Sequence, residues 1–303
     1  MSFTSEVKEE ICSLKLEDAD KISELSGIIG SSFDGTNIKM VTESNVVARR
    51  IYTLIRDLFS VYPKITVRKG YNYNKKYLYI VEVLENKEKI LKSLGIRGFV
   101  PAEFIWADEG LARSYLRGVF LTSASINDPK TARYHLEFNL NNIEFAEFIK
   151  KLLNNFSLNS KILHRENHYM VYVKGAEKIG DFLRMIGAMK AVLYYEDIRI
   201  YRDHKNMTNR LNNCEQANVD RAVETALGQV KDIKYIEENG SLDVLSEKER
   251  IAATYRLKYP EASLLELAEI ISIETETKTS KSSLYYRFKK ISEIALKIKE
   301  NYK

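Results

Sequence analysis

KISELSGIIGSSFDG (residues 21–35) and RSYLRGVFLTSASIND (113–128) are the two stretches whose reading decides the fold of this chain. Each is an apolar, helix-like run with a glycine at its middle, Gly27 and Gly118, and the two glycines are 91 residues apart. A glycine inside a helix costs about 1 kcal/mol relative to alanine. It is tolerated where two backbones approach closely. The two runs are therefore expected to pack against each other through these glycines. The elements after each run repeat as well. Strand-like NIKMVTE (37–43) answers to RYHLEFNL (133–140), and amphipathic SNVVARRIYTLIRDLF (44–59) to NIEFAEFIKKLLNNF (142–156). Then come KITVRKG (64–70) with KKYLYIVEV (75–83), and SKILHRE (160–166) with HYMVYVKG (168–175). Closing helices KEKILKSLGI (87–96) and AEKIGDFLRMIGA (176–188) carry Gly95 and Gly187 at matching ends. Two copies are too few for a solenoid. The expected object is a pseudo-symmetric α+β pair, ordered αββαββα in each half.

The bulk properties agree with a folded, multi-domain chain. At roughly 150 residues per domain, 303 residues make two or three domains. A hydrophobic fraction of 45% excludes wholesale disorder, and 13 glycines with 4 prolines exclude collagen-like and linker-like classes. No apolar run approaches the roughly 20 residues that span a bilayer. The acidic start MSFTSEVKEEICSLKLEDAD has no apolar signal-peptide core. Cys12 and Cys214 form neither a disulfide framework nor a zinc spacing, so a reduced, cytoplasmic setting is expected.

ELSGIIGSSFDG and YLRGVFLTSASI resemble the paired LAGLIDADG helices of homing endonucleases. That resemblance implies two saddle-shaped sheets that straddle DNA, with an acidic residue at the foot of each helix holding a divalent metal. Aligned on the packing glycines, Ser32 and Ser123 stand where the catalytic acids would be, and Gly30 and Leu121 fall on the other acidic position. Serine hydroxyls carry no charge to hold the ions that phosphodiester cleavage needs. Asp34 and Asp128 sit beyond the helix foot in this register. The expectation is a scaffold without nuclease chemistry: no catalytic residue, no metal, no cofactor. Lys64, Thr66 and Arg68 alternate on one strand face with Ile65 and Val67 on the other, and Lys161 and Arg165 take the corresponding place in the second copy. Lys64, Arg68, Lys161 and Arg165 are candidate contacts to a DNA backbone. Ordinary solvent-facing charge is the slightly favoured reading, because 29 basic against 25 acidic residues over 1–200 is a weak field.

After residue 200 the composition changes. Residues 201–240 are polar, asparagine-rich and helix-compatible, closed by Gly240, and read as a linker or bridging helix. Residues 246–299 hold three helical patterns. Ser246 with Glu249 is a capping-box start. Pro260 breaks the first helix, and the second, about 263–272, has Leu264, Leu267, Ala268 and Ile271 on one face. A polar turn IETETKT (273–279) leads to a third helix with Leu284, Phe288 and Ile291 at i, i+4 and i+7. This is a helix-turn-helix pattern, whose later helix enters the major groove. Turning 100° per residue from Leu284 puts Ser282, Tyr286 and Lys289 opposite the core, flanked by Ser283, Tyr285 and Lys290, with Arg287 nearer the core edge as a phosphate contact. Residues 278–303 carry eight basic side chains against two acidic ones, a candidate phosphate-facing surface. SKSSLYYRFKKI resembles the recognition helix of sigma-like helix-turn-helix domains, although the turn before it is longer than the usual tight one.

A degenerate LAGLIDADG pair followed by such a module is similar to the bacterial WhiA family. The similarity runs essentially end to end, through MSFTSEVKEEI, ISELSG, ARRIYTL, SYLRGVFL, YHLEF, LNSK, AEKIGDFL, EDIRIYRD, NRLNNCEQAN and SKSSLYYRFKKI. It implies a non-enzymatic, nucleoid-associated, double-stranded DNA-binding regulator of cell division and chromosome segregation, and of sporulation in spore formers. The expected layout is an N-terminal helical segment (1–20), a tandem-repeat LAGLIDADG-like domain (21–200, repeats about 21–100 and 112–200), the bridging segment (201–240) and an all-α helix-turn-helix domain (241–303, its motif about 263–297). Because the scaffold already contains two pseudo-symmetric halves, it needs no dimer, and it is a candidate surface for a protein partner. The competing readings are an RNA maturase or nuclease on the same scaffold, and an adaptor whose helix-turn-helix docks on protein. The four histidines, His135, His164, His168 and His204, have no cysteine partner and read as surface or packing residues. No G-x-x-x-x-G-K-[ST] or G-x-G-x-x-G loop is present.

Overall fold

The computed structural model describes residues 2–33, 35, 37–69, 77–131, 133–239 and 242–301. Asp34, Gly240, Lys303 and the ends of the two strand-like runs at 70 and 75–76 lie outside the described residues. The chain divides into two compact units, Met1–Arg202 and Asp203–Lys303.

In the first unit, helices α2 (Asp18–Gly30) and α5 (Glu109–Ser123) pack together. Both are buried on nearly every side: Ser23 to Ile29 and Ser114 to Leu121 are all buried. A helix buried all round must lie within a core. The glycines explain how the backbones come so near. A Cβ on Gly27 would strike the carbonyl oxygen of Tyr115, and a Cβ on Gly118 would strike that of Glu24. Glu24 and Tyr115 are themselves 91 residues apart, so the two collisions are the same contact made twice about a pseudo-dyad. Farther along, the Ser31 and Thr122 hydroxyls, again 91 apart, hydrogen-bond to each other at 2.5 Å.

Around this pair lie α1 (Phe3–Cys12), β1 (Ile38–Thr42), α3 (Asn45–Phe59), β2 (Lys64–Lys69), β3 (Tyr77–Val83) and α4 (Lys87–Ser93). The second repeat supplies β4 (Ala124–Ile126), β5 (His135–Leu140), α6 (Ile143–Asn155), β6 (Lys161–His164), β7 (Tyr169–Lys174) and α7 (Ala176–Met185). Both sheets are antiparallel, ordered β1-β3-β2 and β4-β5-β7-β6. The second repeat has the expected αββαββα order. Among the described residues the first has no counterpart of β4, and Gly35, at φ +95°, has a backbone that no strand adopts. Gly95 and Gly187 turn the chain after α4 and α7 at φ +65° and +85°, where a side chain would be strained.

Charge is also buried in this unit. The fully buried Glu24 carboxylate accepts from Arg50 Nε at 2.8 Å and Arg117 Nε at 2.6 Å. Arg117 continues to Ser114 Oγ (2.8 Å), which donates to Asp20 (2.7 Å). Arg50 also holds the Leu14 carbonyl at 3.0 Å, tying the chain after α1 to α3.

The second unit is helical. Its core is formed by Ile233 and Ile236 near the end of α8 (Met189–Asn239), with Ala252 and Ala253 of α9 (Glu247–Lys258), Leu267 and Ile271 of α10 (Leu264–Glu274), and Leu284, Phe288 and Ile291 of α11 (Lys281–Asn301). Capping boxes start α9 at Ser246/Glu249 and α10 at Ser263/Glu266, each satisfying two otherwise free N–H groups.

Candidate nucleic-acid interface

Leu284, Phe288, Ile291 and Ala295 put one face of α11 into the core. That leaves the other face outward. Ser282, Tyr285, Tyr286, Lys289 and Lys290 are exposed, and Ser283 and Arg287 are half-buried at its margins. Tyr285 and Tyr286 are 56% and 64% exposed, large rings with no core to fill, meeting edge-on at 5.7 Å between centroids. Lys290 Nζ comes only to 3.9 Å from Glu249, so its charge is hardly committed. Ser280 caps the helix: its carbonyl accepts from Leu284 N and its hydroxyl from Ser283 N. A capped, exposed helix N-terminus with hydroxyls and cations around it suits phosphate.

The turn before α11 is shorter than the sequence reading. Ile273 and Glu274 continue α10, because Glu274 accepts two hydrogen bonds from Lys258 (3.0 and 3.2 Å) and one from Tyr259 (3.2 Å). Thr275 ends the helix, and Glu276 reverses the chain in the left-handed region at φ 52°. The turn is clamped to α10, with Thr279 N donating to Ser272 Oγ (2.9 Å) and that hydroxyl donating to the Thr279 carbonyl (3.2 Å). Hydrogen bonds from Lys258 and then Tyr255 hold the Glu274 carboxyl below its usual range. Arg256 fixes the preceding corner. It is buried, lies 5.2 Å from the Phe288 ring, and holds Gln229 Oε1 (3.0 Å) and the carbonyls of Tyr259 (3.3 Å) and Ala262 (2.5 Å). Nothing in the pattern of cations along the sequence separates Arg256 from its exposed neighbours.

At the foot of the α2–α5 pair an open cavity of about 540 Å³ is lined by Ser31, Ser32, Thr122, Ser123, Lys39 and Asn139, among others. Ser32 and Ser123 therefore share one cavity. Ser123 Oγ donates back to the Val119 carbonyl (2.9 Å). Gly30 closes α2 and Leu121 is buried, so neither presents a polar group there. Asp128 accepts from Lys130 N (2.8 Å) and the Tyr194 hydroxyl (3.4 Å) in the loop after β4. Among the described residues no three His, Cys, Asp or Glu side chains stand together as a metal would require.

Lys64, Thr66 and Arg68 share the face of their sheet opposite Met40 and Val81, and Lys64 stands across from Glu82. The opposite alternation does not bury Ile65 and Val67, which are 42% and 53% exposed because β2 is an edge strand. In the second sheet, Lys161 pairs with Tyr172 and Arg165 N bonds the His168 carbonyl; both side chains are exposed. The four cations thus lie on two separate edge strands or just after them, each solvent-facing.

Three family models match the chain: the WhiA N-terminal LAGLIDADG-like domain over residues 22–97, the WhiA LAGLIDADG-like domain over 112–205, and the WhiA C-terminal HTH domain over 208–295. The probable cell division protein WhiA of Bacillus licheniformis is 42% identical over 97% of this chain and 96% of its own length. That of Oceanobacillus iheyensis is 40% identical over 99% of this chain and 98% of its own. The crystal structure of full-length DUF199/WhiA from Thermatoga maritima superposes with a TM-score of 0.59 at 29% identity, covering 98% of this chain and 99% of that one. With two LAGLIDADG-like repeats, a helical HTH region and matches along nearly its whole length, the chain belongs to the WhiA family.

Proposed function

We propose that this chain is a non-enzymatic, sequence-specific double-stranded DNA-binding regulator that acts in cell division and chromosome segregation. The observation that carries the reading is the outward face of α11, where two unburied tyrosines and two lysines stand opposite a continuous apolar core face. In this reading Ser282, Tyr286 and Lys289 meet base edges in the major groove. Ser283, Tyr285, Arg287 and Lys290 meet phosphates and sugar. The cellular role rests on relatives named as probable cell division proteins. The foot cavity supports the non-enzymatic part, because the described residues that line it supply hydroxyls, amides and one lysine and no carboxylate to activate water. Lys64, Arg68, Lys161 and Arg165 add backbone contacts at most.

The test is retention of sheared genomic DNA by the purified protein with Mg²⁺ at near-physiological salt, followed by sequencing. Discrete enriched loci with intact ends are expected. Fixed new ends would show a nuclease, and retention without loci would remove sequence specificity. The double variant Lys289→Ala/Lys290→Ala should weaken binding, relax base preference through the loss of Lys289, and flatten the salt dependence by about 1 in log–log slope, since the one lost phosphate contact, Lys290, removes roughly 0.9. Binding like the wild type would reassign the recognition helix.

A further inference from the structure

A second cavity in the first unit, about 760 Å³, opens between α1, β1 and β3, the start of α3, and the end of α5 with β4. Lys8 of α1 lines it. The ammonium reaches inward over the fully buried ring of Phe120, 5.6 Å from its centroid, and among the described residues no carboxylate forms an ion pair with it. Burial lowers its pKa to about 8, so near pH 7 it is a cation that has lost water without gaining an anion. Ser44 and Asn45 bring the first turn of the 15-residue α3 to the same cavity; the Ser44 hydroxyl caps the Val47 N–H, and the N–H groups of Asn45 and Val46 have no helical partner. Tyr77, 54% exposed, and the half-buried Tyr79 supply aromatic surface, and Glu9 and Glu43 also reach the cavity.

Strand register sets which side of the sheet this is. Thr42 stands across from Tyr79, two residues from the Met40–Val81 pair that faces the helices. Lys64, Thr66 and Arg68 occupy the opposite side. The cavity is centred on the helix side of the sheet, but it also reaches Val41 on the other side and adjoins the foot cavity through Thr122, Ala124 and Ser125. Its size suits a small molecule.

We propose that this cavity binds a nucleotide, with phosphate at Lys8 and the first turn of α3, the base against Tyr77 and Tyr79, and the ribose hydroxyls on the carboxylates of Glu9 or Glu43. Phosphate supplies the anion that Lys8 lacks. A flat base suits the tyrosine faces, and carboxylates accept hydrogen bonds from ribose hydroxyls. This chemistry is independent of the α11 surface.

The experiment is isothermal titration calorimetry of the full chain with adenosine and guanosine mono-, di- and triphosphates, the parent nucleosides, inorganic phosphate and a short DNA duplex. At least one nucleotide is expected to bind at one site per chain. Its nucleoside and inorganic phosphate should bind roughly tenfold or more weakly, each keeping only part of the contacts. Lys8→Met should weaken the nucleotide roughly tenfold or more, and Tyr77→Ala, at an exposed strand end where folding is not at stake, should weaken it as well. Both variants should bind the duplex like the wild type. No nucleotide heat up to millimolar concentration overturns the proposal. So does unchanged nucleotide binding in a folded Lys8→Met protein. Loss of duplex binding in Lys8→Met would mark a DNA-backbone site instead. The Lys289→Ala/Lys290→Ala protein should keep its nucleotide, which separates failure of this proposal from failure of the DNA-binding one.

Discussion

Single residues in the first unit carry constraints that no homologous swap relieves. Gly27 and Gly118 each face a carbonyl of the opposite helix. Gly27→Ala or Gly118→Ala must therefore push two buried helices apart, at a cost at or above the usual ~1–3 kcal/mol of overpacking. The urea midpoint of the first unit should fall accordingly, and an unchanged midpoint would mean the helices do not meet there. Glu24 is a different case. Its one carboxylate bridges two guanidinium groups, Arg50 and Arg117, on separate helices. Glu24→Gln leaves the buried Arg117 and the partly buried Arg50 without this anion, a loss of about 3–5 kcal/mol. The triple replacement with apolar residues should recover part of that loss in the same denaturant titration, because the surviving charges are then gone.

At the scale of elements, the helix-turn-helix is held by its connections as much as by its core. Glu274 joins α10 to α9 through Lys258, Tyr255 and Tyr259. Its carboxyl titrates below the ordinary value of 4.5, so the link stabilises the folded state above that value and is lost as pH falls through the lower folded one. Glu274→Gln should remove this component of acid sensitivity from the second unit while leaving its neutral-pH helicity intact, as read by circular dichroism between pH 6 and 3. An identical acid profile in the variant would show that Glu274 is not linked to folding. Strand β2 shows the reverse situation, an edge element with Lys64 and Arg68 on one side and the exposed Ile65 and Val67 on the other. Basic edge residues are a familiar guard against strand-to-strand association, which gives Lys64 and Arg68 a structural use independent of DNA.

The whole molecule has two cores that share no buried residue. Calorimetry should therefore resolve two transitions. Leu284→Ala, a loss of about 2–5 kcal/mol in a tight core, should lower only the transition of the second unit, and Glu24→Gln only that of the first. A single transition shifted by both would show one cooperative body. Along α8, nearly all side chains from 203 to 221 are exposed. Limited proteolysis should cut there first, where no packing opposes opening of the helix.

Much of this was legible from residues alone because it depends on spacing. The 91-residue offset of Gly27 and Gly118 located the helix pair, and Leu284, Phe288 and Ile291 at i, i+4 and i+7 located the buried face of α11. Period and repeat survive in a linear string. The two-residue extension of α10 was not legible, since Glu274 is helical only because Lys258 and Tyr259 reach it from another helix. Neither was the lack, among the described residues, of a β4 counterpart in the first repeat, where Gly35 takes a left-handed backbone. Glu24, Arg256 and Lys8 look like ordinary surface charges in the string. What buries each of them is a contact between segments far apart in sequence, and only the tertiary structure brings those segments together.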